Sequence, residues 1–196
     1  MAKHVFLTGP TGSGKTTLLR RVFGPYLAQA GGFVTDAIYG SYGELCAYTL
    51  SPAASAGGVT GFTPQPFLDC SRFPPRTDNE VFRDTGVRLL HEAVWYPFAM
   101  LDEIGGFELI IPQFRVALYD LLCSDQPLIG ALKAKEEADA LRQALGLGDK
   151  CRTYLQELHR MLEKAADTQL LVIQTPQDLI QAEEVLKAWR REQLGQ

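Results

Sequence analysis

Two short strings in this chain carry residue types that do phosphate chemistry. Gly9-Pro10-Thr11-Gly12-Ser13-Gly14-Lys15-Thr16 fits G-x-x-x-x-G-K-[ST]. Glycines at those positions let a loop curl until successive backbone N–H groups aim at phosphate oxygens. A following helix points its positive end at the same anion. In that pattern Lys15 reaches the β- and γ-phosphates as a point charge, the Thr16 hydroxyl ligates Mg²⁺, and Thr17 completes the nucleotide-binding run. The second string, Phe98-Ala99-Met100-Leu101-Asp102-Glu103, is an apolar run ending in two acids. Asp102 suits a magnesium-orienting carboxylate at a strand end, and Glu103 suits the group that polarises an attacking water. Charge building on the γ-oxygens calls for one more cation. Lys133, Arg115, Arg142 and Arg152 are candidates, and the sequence does not choose among them.

These residues need elements to hold them. His4-Val5-Phe6-Leu7-Thr8 reads as a buried parallel strand feeding the loop. Leu18, Leu19, Val22 and Phe23 give the next segment one apolar helical face, and Pro25 kinks or ends it. Residues 33–39 and 44–50 flank a Gly/Ser turn and predict a β-hairpin, at a sheet edge or as an insertion. Residues 51–77 are rich in Pro and Gly and read as an excursion holding at most a short strand at 67–70. Asp78 is placed to cap a helix carrying Val81, Phe82, Val87, Leu89, Leu90 and Val94. Phe107–Cys123 predicts a helix whose first turns Pro112 disturbs.

Beyond that helix, Pro127–Leu132 and Leu170–Ile173 read as strands. Residues 134–145 and 150–165 read as two amphipathic helices, an insertion or lid broken at Gly146-Leu147-Gly148. Thr175-Pro176-Gln177-Asp178 opens the last helix with a cap, an N1 proline and an early acid. Strands alternating with helices predict an α/β P-loop fold, a mostly parallel sheet with helices on both faces, in one domain over 1–196. Ligands bind such sheets at the carboxyl ends of the strands, where both chemical strings lie.

Composition narrows the partners. The chain is 46% hydrophobic and 21% charged, and its net charge of −4 gives no electrostatic case for nucleic acid. No apolar stretch approaches the ~18 residues of a membrane span. The first residues lead straight into a strand with no room for a signal peptide. Cys46, Cys70, Cys123 and Cys151 are scattered without metal-like spacing, as expected of a cytoplasmic protein and not of a structural metal site.

Gly9-Pro10-x-Gly12-x-Gly14-Lys15-Thr16-Thr17, Gly32-Phe33-x-Thr35 and Leu101-Asp102-Glu103-Ile104-Gly105 together resemble the small cancer-related nucleoside triphosphatases, formerly described as nucleotide kinases. Phe114, Pro127-x-Ile129-Gly130 and Asp178-Leu179 extend the resemblance along nearly the whole chain. It implies Mg²⁺-dependent hydrolysis of nucleoside 5′-triphosphates such as ATP or GTP to diphosphates, with loose base selectivity. The chain departs from that pattern at Lys133, where the family tends to have His, and at Pro176-Gln177, where it often has Asn-Arg. Residues 134–165 are also longer than the family pattern and could serve a protein partner. Two other functions share the same residues. A kinase would use Glu103 on an acceptor hydroxyl and would need a closing lid. A slow switch would reset a partner interface at each turnover.

Overall fold

The computed structural model describes residues 2–195. Its centre is an eight-stranded sheet with spatial order β5-β4-β3-β2-β6-β7-β1-β8. The strands are β1 (His4–Gly9), β2 (Ala30–Tyr39), β3 (Leu45–Pro52), β4 (Gln65–Asp69), β5 (Arg76–Thr77), β6 (Phe98–Ile104), β7 (Leu128–Lys133) and β8 (Thr168–Val172). The run from β2 through β6, β7 and β1 to β8 is parallel. β3, β4 and β5 extend it antiparallel beyond β2.

Helices cover both faces: α1 (Lys15–Phe23), α2 (Ala53–Ala56), α3 (Val87–Glu92), α4 (Pro112–Leu122), α5 (Lys135–Ala144), α6 (Asp149–Lys164) and α7 (Pro176–Leu194). Strand alternation sorts the core into two layers. Val5 and Leu7 join Leu18, Leu19, Leu186 and Trp189 on the α1–α7 face. Phe6 points the other way, into a layer with Phe33, Phe82, Phe114, Leu155 and Leu158. A central strand buried on both faces needs apolar residues throughout, which is why these segments read as continuous hydrophobic runs.

Several expectations are corrected. The hairpin is not an edge feature: β2 pairs with β6 on one side and β3 on the other. Residues 51–77 are not a bare excursion either, since they supply α2, β4 and β5. Pro66 cannot donate to a ladder, yet it falls inside β4, which begins ahead of the strand expected at 67–70. It is accommodated where β4 has no β5 partner, beside a register shift between Tyr48 and Thr49. Asp78 accepts from Glu80 N at 3.0 Å, and the helix it introduces opens with a π-type stretch, Val81–Gly86, before α3. The expected helix 107–123 is two pieces, a 3₁₀ turn (Phe107–Ile110) and α4. Pro112 is its N1 residue, where a missing N–H costs nothing. The cap of α7 is as expected: Asp178 N donates to Thr175 Oγ1, and Thr175 N donates to Asp178 Oδ2 at 2.7 Å.

Candidate functional site

The parallel register brings three strand ends together. Gly9 of β1 pairs with Lys133 of β7, and Leu132 pairs with Ile104 of β6. The phosphate-loop motif, Lys133 and the Asp102-Glu103 pair therefore emerge side by side at the carboxyl ends of the parallel strands.

The loop motif has the backbone it needs. Gly9, Gly12 and Gly14 take φ of 149°, 77° and 94°, a region that favours glycine. A Cβ on Gly9 would also meet the Ile173 carbonyl oxygen at 2.1 Å. Ser13 N donates to Pro10 O at 3.1 Å, closing the turn, and Leu18 N donates to Gly14 O at 2.8 Å, starting α1. Lys15 is 6% exposed. Its ammonium donates to Gly9 O at 2.6 Å and Pro10 O at 3.1 Å, and lies 3.4 Å from Glu103 Oε1.

β6 aims its two acids differently. Phe98 and Met100 belong to the α1–α7 layer, so the alternation puts Asp102 on that face too. There Thr16 Oγ1 donates to Asp102 Oδ1 at 3.0 Å. The β6–β7 register shifts between Asp102 and Ile104, leaving Glu103 as the extra residue of a bulge. Bulges re-aim side chains beside active sites. Here Glu103 is held between two cations, Lys15 on one oxygen and Lys133 on the other.

Asp102 is 1% exposed, and its Oδ2 is buried with no hydrogen-bond partner. Burial pushes its carboxyl up to about 6; neighbouring Glu103 adds to this, and the Thr16 hydrogen bond opposes it. For Lys133, burial works to lower the pKa, but Glu103 beside it, with Glu108 and Glu137, holds it above the ordinary lysine value. Glu108 is fully enclosed. Burial raises its pKa, against hydrogen bonds from Gly105 N at 2.6 Å and Gly106 N at 2.7 Å.

Glu103, Lys133 and Glu108 open on one cavity of about 660 Å³, within the range of small-ligand sites, while Asp102 is not among the residues that line it. Thr11, Gly12, Gly14, Lys15, Thr16 and Thr17 line it; Glu103, Lys133 and Glu108 stand along it, and Tyr48, Phe67 and α5 extend it. Gly9, Pro10 and Ser13 are not among its lining residues.

Of the four candidate cations, Lys133 is at the cavity. Arg115 donates instead to Leu109 O at 2.7 Å and stacks 3.8 Å over the Tyr154 ring. Arg142 donates to Leu147 O, and Arg152 pairs with Asp139. Sequence reasoning missed Glu137 altogether. Its carboxylate accepts a hydrogen bond from Thr11 N, within the loop motif, across 126 positions of sequence. Nothing in the local pattern of 134–145 marks that glutamate from its neighbour Glu136.

A glycine loop opening onto a helix N-terminus, beside acids at parallel strand ends, defines a P-loop nucleotide-binding protein. The chain belongs to the NTPase family, whose sequence profile matches residues 4–160, and is a nucleoside-triphosphate-binding P-loop NTPase. No curated protein matches it significantly in sequence. Among solved structures, it is similar in fold to THEP1 from the hyperthermophile Aquifex aeolicus. The TM-score is 0.62 at 14% identity, over 94% of this chain and 99% of that one. No helix among the described residues is long and apolar enough to cross a membrane.

Proposed function

We propose that the chain hydrolyses nucleoside 5′-triphosphates to diphosphate and phosphate with Mg²⁺, ATP and GTP both being substrates. The observation that carries this reading is Glu103, a carboxylate held at the carboxyl end of β6 between Lys15 and Lys133 and next to the Thr16–Asp102 pair.

Mg²⁺ suits the donors present. Thr16 and Asp102 offer hard oxygen ligands on facing elements, and Asp102 Oδ2 is a buried carboxylate oxygen that lacks a donor. Among the described residues no group of three or more His, Cys, Asp or Glu side chains surrounds a cation, so the remaining ligands would be phosphate oxygens and water. Bound there, the ion would neutralise charge on the β- and γ-oxygens.

The protein's own groups do the rest. The loop N–H groups and the α1 N-terminus hold the phosphate chain. As the γ-phosphoryl group enters, Lys15 and Lys133 exchange Glu103 for phosphate oxygens, and Glu103 is freed to orient a water in line with the scissile bond. The water oxygen bonds to the γ-phosphorus as its bond to the β,γ-bridging oxygen breaks. The water's proton passes to Glu103, and the diphosphate carries away the bonding electrons.

A second reading, transfer to an organic acceptor, draws on the length of the cavity past Glu103 towards Tyr48 and Phe67. One assay separates the two: phosphate release from Mg-ATP or Mg-GTP with no other substrate present. Release that falls about 10²–10⁴-fold in Glu103→Gln while nucleotide still binds supports hydrolysis. Release only after an acceptor is added supports transfer.

A further inference from the structure

Glu137 places a carboxylate against Thr11 N, a backbone donor of the loop that grips phosphate. The same glutamate is close enough to Lys133 to act on it electrostatically, and Lys133 is the partner of Glu103. An anion sits where the loop and the Glu103 end of the site meet, which is the γ end of a bound triphosphate. Carboxylate and terminal phosphoryl oxygens compete for the same kind of donor. We infer that Glu137 is an internal stand-in for the γ-phosphate and that α5 is the gate it fastens. This rests on the triphosphatase reading and adds a device to it.

The construction of α5 fits a gate. Glu137, Ala140, Leu141 and Ala144 face the cavity at i, i+3, i+4 and i+7, one stripe of the helix. Ala138 is its buried residue, whereas α6 is anchored in the core by Cys151, Leu155, Leu158, His159 and Leu162. Leu141 adds a partly buried contact with the core, and the ion pairs of α5 are long, with exposed or half-exposed partners: Lys135 to Glu163 at 3.5 Å, Arg142 to Asp149 at 3.5 Å and Arg152 to Asp139 at 3.4 Å. Such pairs hold weakly. Both ends can turn. Ala134 is extended, at φ −64° and ψ 147°, and Gly146, at φ 62°, and Gly148 follow the helix.

The fastening is also poised to release. Glu137 Oε2 is buried without a hydrogen-bond partner, a cost the closed state carries and the open state sheds. A γ-phosphoryl group displaces the carboxylate and α5 swings out. A diphosphate leaves the gate fastened. The site thus reads the third phosphate through α5.

The test uses the full chain, with Mg-bound β,γ-imido-ATP and Mg-ADP as probes and with Glu137→Ala and Glu137→Gln as variants. Glu137→Ala should tighten the imido-triphosphate about tenfold and shift ADP affinity less than twofold. Glu137→Gln should tighten it by a smaller factor, because it keeps an acceptor but loses the charge. Amide exchange over 135–144 should rise in the wild type on adding the imido-triphosphate and not on adding ADP. In Glu137→Ala it should be fast before any ligand arrives. Equal tightening of both nucleotides, no tightening, or protection of α5 by the triphosphate would overturn the gate. If the wild type binds neither nucleotide, the triphosphatase reading fails first. If it binds and hydrolyses while Glu137→Ala behaves as wild type, only the gate fails.

Discussion

Glu103 and Lys133 form an ion pair at the centre of the site, and each has a reason to be there. Glu103 is out of the strand's alternation because of the bulge, and Lys133 is the last residue of β7. On the proposed hydrolytic reading, Lys133 is the cavity-wall cation that meets developing charge on the γ-oxygens. Lys133→Met, which keeps the length of the side chain, should therefore lower kcat by about 10²–10³-fold and move KM much less. Steady-state phosphate release checks this; a change confined to KM would make Lys133 a binding residue only.

At this scale the candidate site was most readable where its residues are consecutive, as in Gly9–Thr16 and Asp102-Glu103. Choosing Lys133 over Arg115, Arg142 and Arg152 required the fold, because all four are cations near plausible strand or helix ends. Glu137 was invisible, since its significance is a contact with Thr11 from a distant helix.

At the scale of elements, the placement of β7 between β1 and β6 decides the site. It spaces the phosphate loop from Asp102 and Glu103 and inserts Lys133 between them. α6 supports that strand end from behind. In the tautomer with its proton on Nε2, His159 donates to Lys133 O at 3.0 Å. Burial holds His159 below the ordinary histidine pKa, so the folded protein protonates it less readily than the unfolded chain does. The unfolded chain takes up a proton near pH 6.5 and the folded chain only at lower pH, so this contribution to stability is full above 6.5 and is lost as pH falls through the window between the two. The loss has a limiting slope of about 1.4 kcal/mol per pH unit for one histidine. Urea unfolding at pH 7.5 and 5.5 should show a larger drop for the wild type than for His159→Gln; equal drops would mean that His159 charges freely in the fold.

Most elements could be read from periodicity and caps. Two of the corrections involve prolines: Pro112 opens α4 and Pro66 lies inside β4, each where its missing N–H is not needed.

For the whole molecule, the antiparallel extension ties the far half of the sheet to the site through one aromatic cluster. Phe82 is 1% exposed and packs against Phe33, Phe67, Phe107 and Phe114, with ring centroids 6.3, 4.9, 5.6 and 5.0 Å away. These rings come from β2, β4, the turn after the Gly105-Gly106 loop, and α4. Phe82→Ala should cost about 3–5 kcal/mol in denaturant unfolding. A loss below about 1 kcal/mol would show that β4 and β5 are peripheral to the fold.

The parallel core was readable from its uninterrupted apolar runs, and β3 from its hairpin with β2. In the antiparallel extension the strand expected at 67–70 is β4, while β5, in a Pro/Gly-rich segment whose composition favours turns, was not read. At 14% identity, the likeness to THEP1 is one of fold.

The central claim is that Glu103 turns a triphosphate grip into hydrolysis. It is tested most directly by single-turnover phosphate release from Mg-ATP and Mg-GTP, with wild type and Glu103→Gln compared at saturating protein. Release by the wild type without an acceptor, reduced at least 100-fold in the variant at unchanged nucleotide affinity, is the expected result. Undiminished release by Glu103→Gln, or none from the wild type until an acceptor is supplied, would contradict it.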